Sequence, residues 1–585
     1  MASMDYTRDG TVDLRGRPVL ASKTGKWKAA ALLVGYEAFE RMAFYGIQSN
    51  LVVYLTTELR EGTVSSVTNV NNWSGAVWIT PILGAYIADA FLGRFWTFTI
   101  ASAIYVLGMS LLTMAVSLKA LRPYCTSDGI CSKASPFQIG FFYMALYIIA
   151  VGAGGTKPNI STFGADQFDE LNLHEKKLKA SFFNWWMFSA YFGSLFANSG
   201  LIYIQDNLSW SIGYGIPTIG LILSLVCFYI GTPLYRHKPK KGNSHMKEII
   251  HVLSSAFANW RLKLPSQQFE LHELEREHYV TNGEEQLLYI PCFRFLDKAS
   301  IEEGNVKSPC TVTQVQKLKL FCGMFIIWVV LLIPSAFWAE VSTIFVKQGT
   351  TLNCQLGSKF KVPPASLSSI YTLSMILAVP VYDRYFVPFM HKRTGNPRGI
   401  TILQRLGIGC AVQVSAIVAA YVVEVFRLRL IKEHHINEPQ DIVPMSIFWQ
   451  LPQYGILGLA DVFLAIGMIE FFYDQSPQSM QSLGTTFFTS AVGVGSFLNG
   501  FLVNMVDKVS RKLNGGKSWI GNNLNDSHLD YFFVFLTLIG VVNLAAFVWA
   551  SCTYTYKKEV AEEDCDPSEK QSIVFPSDCA PPEGK

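Results

Sequence analysis

Long hydrophobic runs recur along this chain, and most of them have about the length of a membrane-spanning helix. Roughly 20 apolar residues in a helix cross a bilayer core. A polar stretch from 235 to 314 separates an early set of runs from a later set of equal number. The pattern predicts an all-α membrane protein with twelve transmembrane helices in two pseudo-symmetric six-helix bundles. The predicted spans are residues 29–55, 73–92, 96–118, 137–151, 182–204, 214–230, 320–345, 366–389, 400–425, 445–472, 483–506 and 531–552.

Polar segments divide the chain into five predicted parts. The first 26 residues lack the apolar core of a signal peptide, so the first span is expected to act as its own signal. The predicted parts are a cytoplasmic N-terminal segment (1–26), the N-terminal bundle (27–236), a cytoplasmic linker (237–316), the C-terminal bundle (317–557) and a cytoplasmic tail (558–585).

The linker contains a predicted amphipathic helix. Apolar residues from Met246 to Trp260 recur there at helical spacing, beside Lys247, Arg261 and Lys263. Such a helix fits the cytoplasmic face of a membrane. It fits equally well against the helical bundles, and the residues leave both interpretations open.

Composition narrows the class of protein. Hydrophobic residues make up 50% of the chain and charged residues only 16%, against roughly 25% charged in soluble domains. The net charge of +4 is small and gives no sign of nucleic-acid binding. The eleven cysteines are scattered, which predicts no metal site, and we predict no cofactor. Whether Cys125 and Cys131 form a disulfide is left open.

Basic residues in short loops predict the orientation. Residues 89–94 and 383–398 form such loops, each with an Asp at a helix end followed by Gly and Arg. We therefore expect both loops, and both termini, to lie in the cytoplasm. The loops occupy equivalent places in the two halves, a duplication typical of transporters.

Charges interrupt the first hydrophobic span. Glu37, Glu40 and Arg41 share one face of a helix, and each would cost roughly 2.5 to 3.5 kcal/mol against lipid. This face is therefore predicted to meet a polar cavity, since ionisable groups inside a membrane commonly mark ion or substrate pathways. A structural ion pair is the alternative. Because two acids accompany one base, one carboxylate is left over to bind and release a proton.

Further charges are predicted at membrane depth. Lys157 follows a glycine cluster that ends the fourth span, and we expect the glycines to open a gap beside it; the alternative is a lysine that extends to the interface. The C-terminal half contributes Glu340 and Glu470. A cavity with Arg41 and Lys157 on one side and these two acids on the other suits a small zwitterion.

Four motifs carry a family resemblance that covers nearly the whole chain. The chain resembles the proton-dependent oligopeptide transporter family, in particular its plant nitrate/peptide branch within the major facilitator superfamily. The motifs are ExxER at residues 37–41, GAYIADAFLGR at 84–94, GxGGxKP…FGADQF at 152–168 and EFFYDQSP at 470–477.

The resemblance implies the major facilitator fold and proton-driven alternating access. It implies protonation of Glu37 and Glu40, binding of a substrate carboxylate by Arg41 and Lys157, and binding of a substrate amine by Glu470. Two positions depart from the peptide-carrier pattern, since Tyr191 replaces an Asn and Phe44 replaces a Tyr. The candidate substrate-binding residues are Arg41, Tyr45, Lys157, Tyr191, Trp338, Glu340 and Glu470.

The expected function is proton-coupled symport of small solutes, with di- or tripeptides as the first candidates and nitrate, a plant hormone or a specialised metabolite as the alternatives. The resemblance implies that a nitrate-type site uses a His in the seventh span. Residues 320–345 contain no His and have Glu340 instead, which argues against nitrate. No catalytic cluster occurs at membrane depth, so an enzyme is not expected. The predicted partners are protons, a small substrate and the lipid bilayer of the plasma or vacuolar membrane, without nucleic acid.

Overall fold

The computed structural model of the protein describes residues 6–123, 132–169, 171–238, 245–264, 271–275, 278–279, 286–302, 309–358, 360–436, 438, 441–477 and 480–557. These residues fall into two units. The larger unit contains both helical halves, and the smaller one is built on residues 245–323, on 475–481 and on residues from 555 onward. Cys125 and Cys131, for which a disulfide was left open, lie outside the described residues.

Helices account for most of the N-terminal half. In chain order they are α1 Lys26–Gln48, α2 Leu51–Thr57, α3 Thr63–Ile87, α4 Arg94–Ser117, α5 Pro136–Ala165, α6 Leu173–Phe196, α7 Ile202–Asn207 and α8 Trp210–Ile230.

The described residues of the rest of the chain are also mainly helical, and they include four short strands. The strand β1 pairs in parallel with β4, and β2 pairs antiparallel with β3. The helices are α9 His245–Ala258, α10 Val312–Val330, α11 Leu332–Trp338, α12 Ile344–Gly349, α13 Ser368–Val381, α14 Val387–Thr394, α15 Ile402–Glu433, α16 Leu451–Gln475, α17 Gln481–Leu513 and α18 Leu529–Thr553. The strands are β1 Leu352–Asn353, β2 Gln355–Leu356, β3 Phe360–Lys361 and β4 Val443–Ser446.

Ten helical segments of the described chain are long and apolar enough to cross a membrane. Helices α1 and α6 are not among them, because α1 carries buried charges and α6 begins with the polar residues 174–177. With these two, each half supplies six spanning segments. The predicted class, an all-α protein with twelve spans in two six-helix halves, is confirmed.

The internal duplication is visible in the backbone. The second spanning helix ends in a π-helical turn, Ala88–Leu92, which contains Asp89. The eighth span contains the corresponding turn, Tyr382–Phe386, with Asp383 at the same place. The two predicted equivalent loops therefore follow the same local structure.

Glycines bring the second, third and fourth spans into close contact. A Cβ atom on Gly84 would collide with the carbonyl group of Gly154, and one on Gly152 would lie 2.6 Å from the Cα of Tyr105. Backbone therefore packs on backbone where α5 crosses α3 and α4. The expectation that these glycines open a gap beside Lys157 is wrong, because neighbouring helices occupy the glycine face.

The fourth span is also longer than predicted. Helix α5 continues to Ala165 and does not end at 151. Pro158 has no N–H to donate, but the helix is maintained through it. The Asn159 side-chain amide donates to the Gly155 carbonyl (2.8 Å), and the Thr162 hydroxyl donates to the Pro158 carbonyl (3.0 Å).

The two halves contact each other at the end where α3 begins. A Cβ atom on Gly75 would lie 2.9 Å from the carbonyl oxygen of Gly493. The Asn504 amide donates to the Thr68 hydroxyl (2.8 Å), and the Thr63 backbone N–H donates to the Asn522 side chain (2.9 Å). Because α3 runs from this end toward the loop at 89–94, the contacts lie opposite the basic loops.

A buried ion pair fastens the N-terminal segment to its own half. Arg236 and Glu175 are fully buried and 2.7 Å apart. The Arg236 guanidinium also donates to the carbonyl groups of Ala21 and Thr24, and Val12 pairs with His237. Because the Arg236 guanidinium binds two backbone carbonyl groups of the segment 6–25, this segment has a defined position.

The smaller unit has its own hydrophobic core. Val252 and Ala256 of α9 pack in it with Leu296, Cys310 and Val315. The opposite side of α9 exposes Ile250, Leu253 and Phe257. The predicted amphipathic helix is therefore present, while its place on the membrane stays a prediction.

The helix crossing at Gly84 gives a stability test. The Gly84→Ala variant should unfold at a lower temperature, because overpacking a tight contact costs about 1–3 kcal/mol. The matched control is Gly140→Ala on α5, where an added Cβ would meet no atom of the described residues within 4 Å. Thermal unfolding of the purified proteins measures both, and equal midpoints would contradict the described crossing.

Candidate functional site

The charged face of α1 is buried in the N-terminal half. The Arg41 guanidinium Nε lies 2.6 Å from Glu37 Oε1 and 3.4 Å from Glu40 Oε2. The side chains of Glu37 and Glu40 are 1% and 2% exposed, and that of Arg41 is 14% exposed. The structure thus brings the three predicted residues together. Neither oxygen of Glu40 accepts a hydrogen bond from a described residue.

A glycine on α6 allows this arrangement. Gly193 faces α1, where a Cβ atom would collide with the carbonyl of Ala38 and lie 3.2 Å from Cβ of Arg41. Helix α6 therefore packs against the charged turn of α1 with the two backbones in close contact. This contact keeps lipid away from the charges, as their insertion cost requires.

Lys157 does not extend to an interface. Its Nζ atom is buried and has no hydrogen-bond partner among the described residues. It lies 3.7 Å above the ring of Phe44 and 4.8 Å above a ring of Trp78. Aromatic faces attract cations, so the two rings hold the ammonium group inside the protein.

A cavity lies between the two halves next to this lysine. It encloses about 580 Å³ of empty space, its open mouth included. Tyr45 and Trp78 line it from the N-terminal half, and Trp338 and Tyr371 line it from the C-terminal half. None of the described residues that line the cavity carries a formal charge.

Aromatic residues connect the halves across the cavity. The rings of Trp78 and Trp338 have centroids 6.3 Å apart. The Trp338 indole N–H donates to the Tyr371 hydroxyl at 2.5 Å. That hydroxyl donates in turn to the carboxylate of Asp461 on α16. A continuous series of contacts therefore runs from Lys157, through the two tryptophans and the tyrosine, to Asp461.

Sequence reasoning missed Asp461. Its signal was available, because it is a lone acid within the apolar stretch 456–469. Asp461 is 3% exposed, and among the described residues no cation lies within ion-pair distance of it.

Glu470 lies in a different environment from the one expected. Its carboxylate is 2.7 Å from the guanidinium of Arg405 and 3.2 Å from that of Arg398. Arg398 also contacts Asp474 at 2.5 Å. Glu470 does not line the cavity, and its side chain is 29% exposed. The structure thus pairs this acid with bases on neighbouring elements, which differs from the amine-binding position that the resemblance implies.

Glu340 is the third acid of the C-terminal half. It is fully buried, and the Asn499 amide donates to its Oε1 atom at 3.0 Å. Its Oε2 atom has no hydrogen-bond partner, and no Lys or Arg of the described chain lies within ion-pair distance of it. It lies next to the cavity-lining Ala339 but does not itself line the cavity.

The remaining substrate-binding candidates also differ in whether they line the cavity. Tyr45 and Trp338 line the cavity as predicted candidates, whereas Tyr191 is half-buried on α6 and is not among the lining residues. The arrangement has buried cations on one side of the cavity, a buried acid on the other, and an uncharged lining between them. Together with twelve spans in two halves, this defines a polytopic membrane transporter.

Comparison with known proteins identifies the family. The POT family profile matches residues 95–520. Protein NRT1/PTR FAMILY 5.1 of Arabidopsis thaliana is 63% identical over 558 residues, which cover 95% of each chain. Protein NRT1/PTR FAMILY 5.2 of the same plant is 46% identical over 95% of this chain and 96% of its own. The chain belongs to the POT family, within the plant NRT1/PTR group.

A solved structure supports the fold independently. The crystal structure of an auto-inhibited POT family peptide transporter superposes with a TM-score of 0.67 at 21% identity, over 92% of this chain and 98% of that chain. The protein is thus an integral multi-pass membrane protein with the major facilitator fold, and a proton-coupled transporter of the POT family.

The two kinds of buried acid predict different stability effects. The Glu37→Gln variant should unfold at a lower temperature, because it removes a charge-assisted hydrogen bond of about 1.5–3 kcal/mol from Arg41. The Glu340→Gln variant should unfold close to the wild-type temperature, because a Gln carbonyl still accepts from Asn499. Thermal unfolding in one detergent compares them. Equal losses in both variants would contradict the described pairing.

Proposed function

We propose that this transporter carries small zwitterions, with di- and tripeptides as the first candidates, together with protons by alternating access. The observation that carries the proposal is the series of contacts from Lys157 to Asp461 across the cavity. It assigns a cation to the N-terminal half and an acid to the C-terminal half. A peptide has the matching charges at its two ends.

The contacts suggest how such a substrate binds. Lys157 and Arg41 would hold the substrate carboxylate, and Asp461, in place of Glu470, would hold the substrate amine. Both charges lie behind aromatic residues that line the cavity. We infer that separation of Trp78 from Trp338, which belong to opposite halves, gives the substrate access to them.

Glu37 and Glu40 are proposed as the proton-binding groups. Arg41 neutralises one carboxylate, and the second shares the same guanidinium at a longer distance. A substrate carboxylate that binds Arg41 competes with both acids. Since the displaced carboxylate is then an unpaired buried charge, it is stabilised by taking up a proton. Substrate and proton would thus bind together.

Nitrate is the second candidate, because the ammonium of Lys157 has no hydrogen-bond partner among the residues that the structure describes and would attract an anion. Plant hormones and specialised metabolites remain further alternatives. We also propose that both termini and the basic loops lie in the cytoplasm, with the protein in the plasma or vacuolar membrane. Uptake into oocytes at acidic external pH, with dipeptides, nitrate and hormones offered side by side, tests these functions. Accumulation of nitrate without any dipeptide would overturn the zwitterion proposal.

The first transport prediction concerns coupling. The Glu40→Gln variant should lose proton-driven accumulation of the substrate, while exchange of internal for external substrate continues. A charge moved through 100 mV supplies roughly 2.3 kcal/mol, about a fortyfold concentration ratio, and this ratio should fall to near one. Radiolabelled uptake and counterflow in proteoliposomes separate the two activities. Wild-type accumulation by the variant would remove Glu40 from the proton pathway.

The second transport prediction concerns the substrate amine. The Asp461→Asn variant should raise the apparent KM for a free-amine dipeptide roughly ten- to hundredfold, since a charge-assisted contact contributes about 1.5–3 kcal/mol. The KM for the N-acetylated dipeptide should change much less. Glu470→Gln is the matched control, because that acid lies outside the cavity and should affect both peptides alike. An equal effect of Asp461→Asn on both would rule out the amine contact.

A further inference from the structure

Hydroxyl groups are the commonest polar groups of the cavity lining. In the C-terminal half they come from three elements that face one another across the cavity. These hydroxyls belong to Ser335, Ser342, Ser368, Thr372 and Ser496.

Each of these hydroxyls already uses its proton. Ser335 donates to the Leu331 carbonyl (2.9 Å), and Ser496 donates to the Val492 carbonyl (3.0 Å). Ser342, Ser368 and Thr372 donate in the same way to carbonyl groups three or four residues earlier. A serine or threonine hydroxyl has one proton and two lone pairs. The oxygen atoms therefore remain as acceptors for a ligand in the cavity.

The remaining lining groups of the C-terminal half fit this picture. The Tyr371 hydroxyl donates its proton to Asp461 and the Trp338 N–H is used by Tyr371. Donors for a ligand come from the N-terminal half, where the side-chain amides of Gln48 and Asn198 line the cavity. An uncharged ligand group that carries N–H or O–H donors therefore fits the C-terminal side of the cavity, where a group with acceptors only must first displace existing hydrogen bonds.

We propose that the C-terminal side of this cavity is a subsite for a hydrogen-bond-donating, uncharged substrate group, such as the hydroxyl or amide side chain of a peptide. The proposal rests on the proposed function, because it gives a binding site to the side chain of the peptide whose charged ends bind Lys157 and Asp461. It predicts a preference for Ser, Thr, Asn or Gln side chains over apolar side chains of equal size.

The test compares ligands of equal shape. Ala-Thr and Thr-Ala differ from Ala-Val and Val-Ala by a hydroxyl in place of a methyl group. Competition against uptake of labelled Ala-Ala by the full-length protein should show tighter inhibition by the threonine peptide, roughly two- to tenfold in at least one order, as expected for one net hydrogen bond.

Variants assign the preference to the cavity. The Thr372→Val/Ser368→Ala double variant removes two acceptors with little change in volume and should abolish the difference between the threonine and valine peptides. Thr537→Val is the matched control, because its hydroxyl makes the same bond to the Phe533 carbonyl (2.8 Å) on α18, away from the cavity. This control should keep the preference.

The outcomes are distinguishable. Equal inhibition by threonine and valine peptides in the wild type would overturn the subsite while leaving peptide transport intact. A preference that survives in the double variant would overturn it as well. Absence of Ala-Ala uptake, with no inhibition by any dipeptide, would overturn the proposed function and the subsite together.

Discussion

The arrangement of the N-terminal half depends on one interaction inside a spanning helix, in which the guanidinium of Arg41 lies between two carboxylates. Ions in a medium of low dielectric constant are stabilised only by close partners, and loss of one partner leaves an unpaired charge. Helix α1 therefore cannot face lipid at this turn. Gly193 lets α6 approach closely enough to cover this turn. The ring of Phe44, which is also on α1, contacts the ammonium group of Lys157.

The same constraint explains the aromatic residues between the halves. In the described part of the chain no acid lies within hydrogen-bond distance of Lys157, and two aromatic rings contact its ammonium group. Trp78 then contacts Trp338 of the other half. Movement of one half relative to the other must change this contact, and with it the surroundings of Lys157. Charge burial and the proposed alternating access are thus coupled through two side chains.

Local sequence patterns predicted much of this structure. Spacing of four residues placed Glu37 beside Arg41, and hydropathy located the spanning helices, including α1 despite its charges. Local sequence patterns did not predict contacts between residues that are far apart in the chain. Nothing near Glu470 shows that Arg405, 65 residues earlier, pairs with it. The glycines at 152–155 indicated a thin helix face, but only the packed structure shows that α3 and α4 fill the space beside it.

We propose that a zwitterion and a proton cross together through the cavity between Lys157 and Asp461. The most direct measurement follows the internal pH of proteoliposomes that contain the purified protein and a trapped pH-sensitive dye. Addition of an outside dipeptide, with no initial pH difference, should acidify the interior, while the same concentration of nitrate should not. Acidification by nitrate together with none by dipeptides would contradict the account.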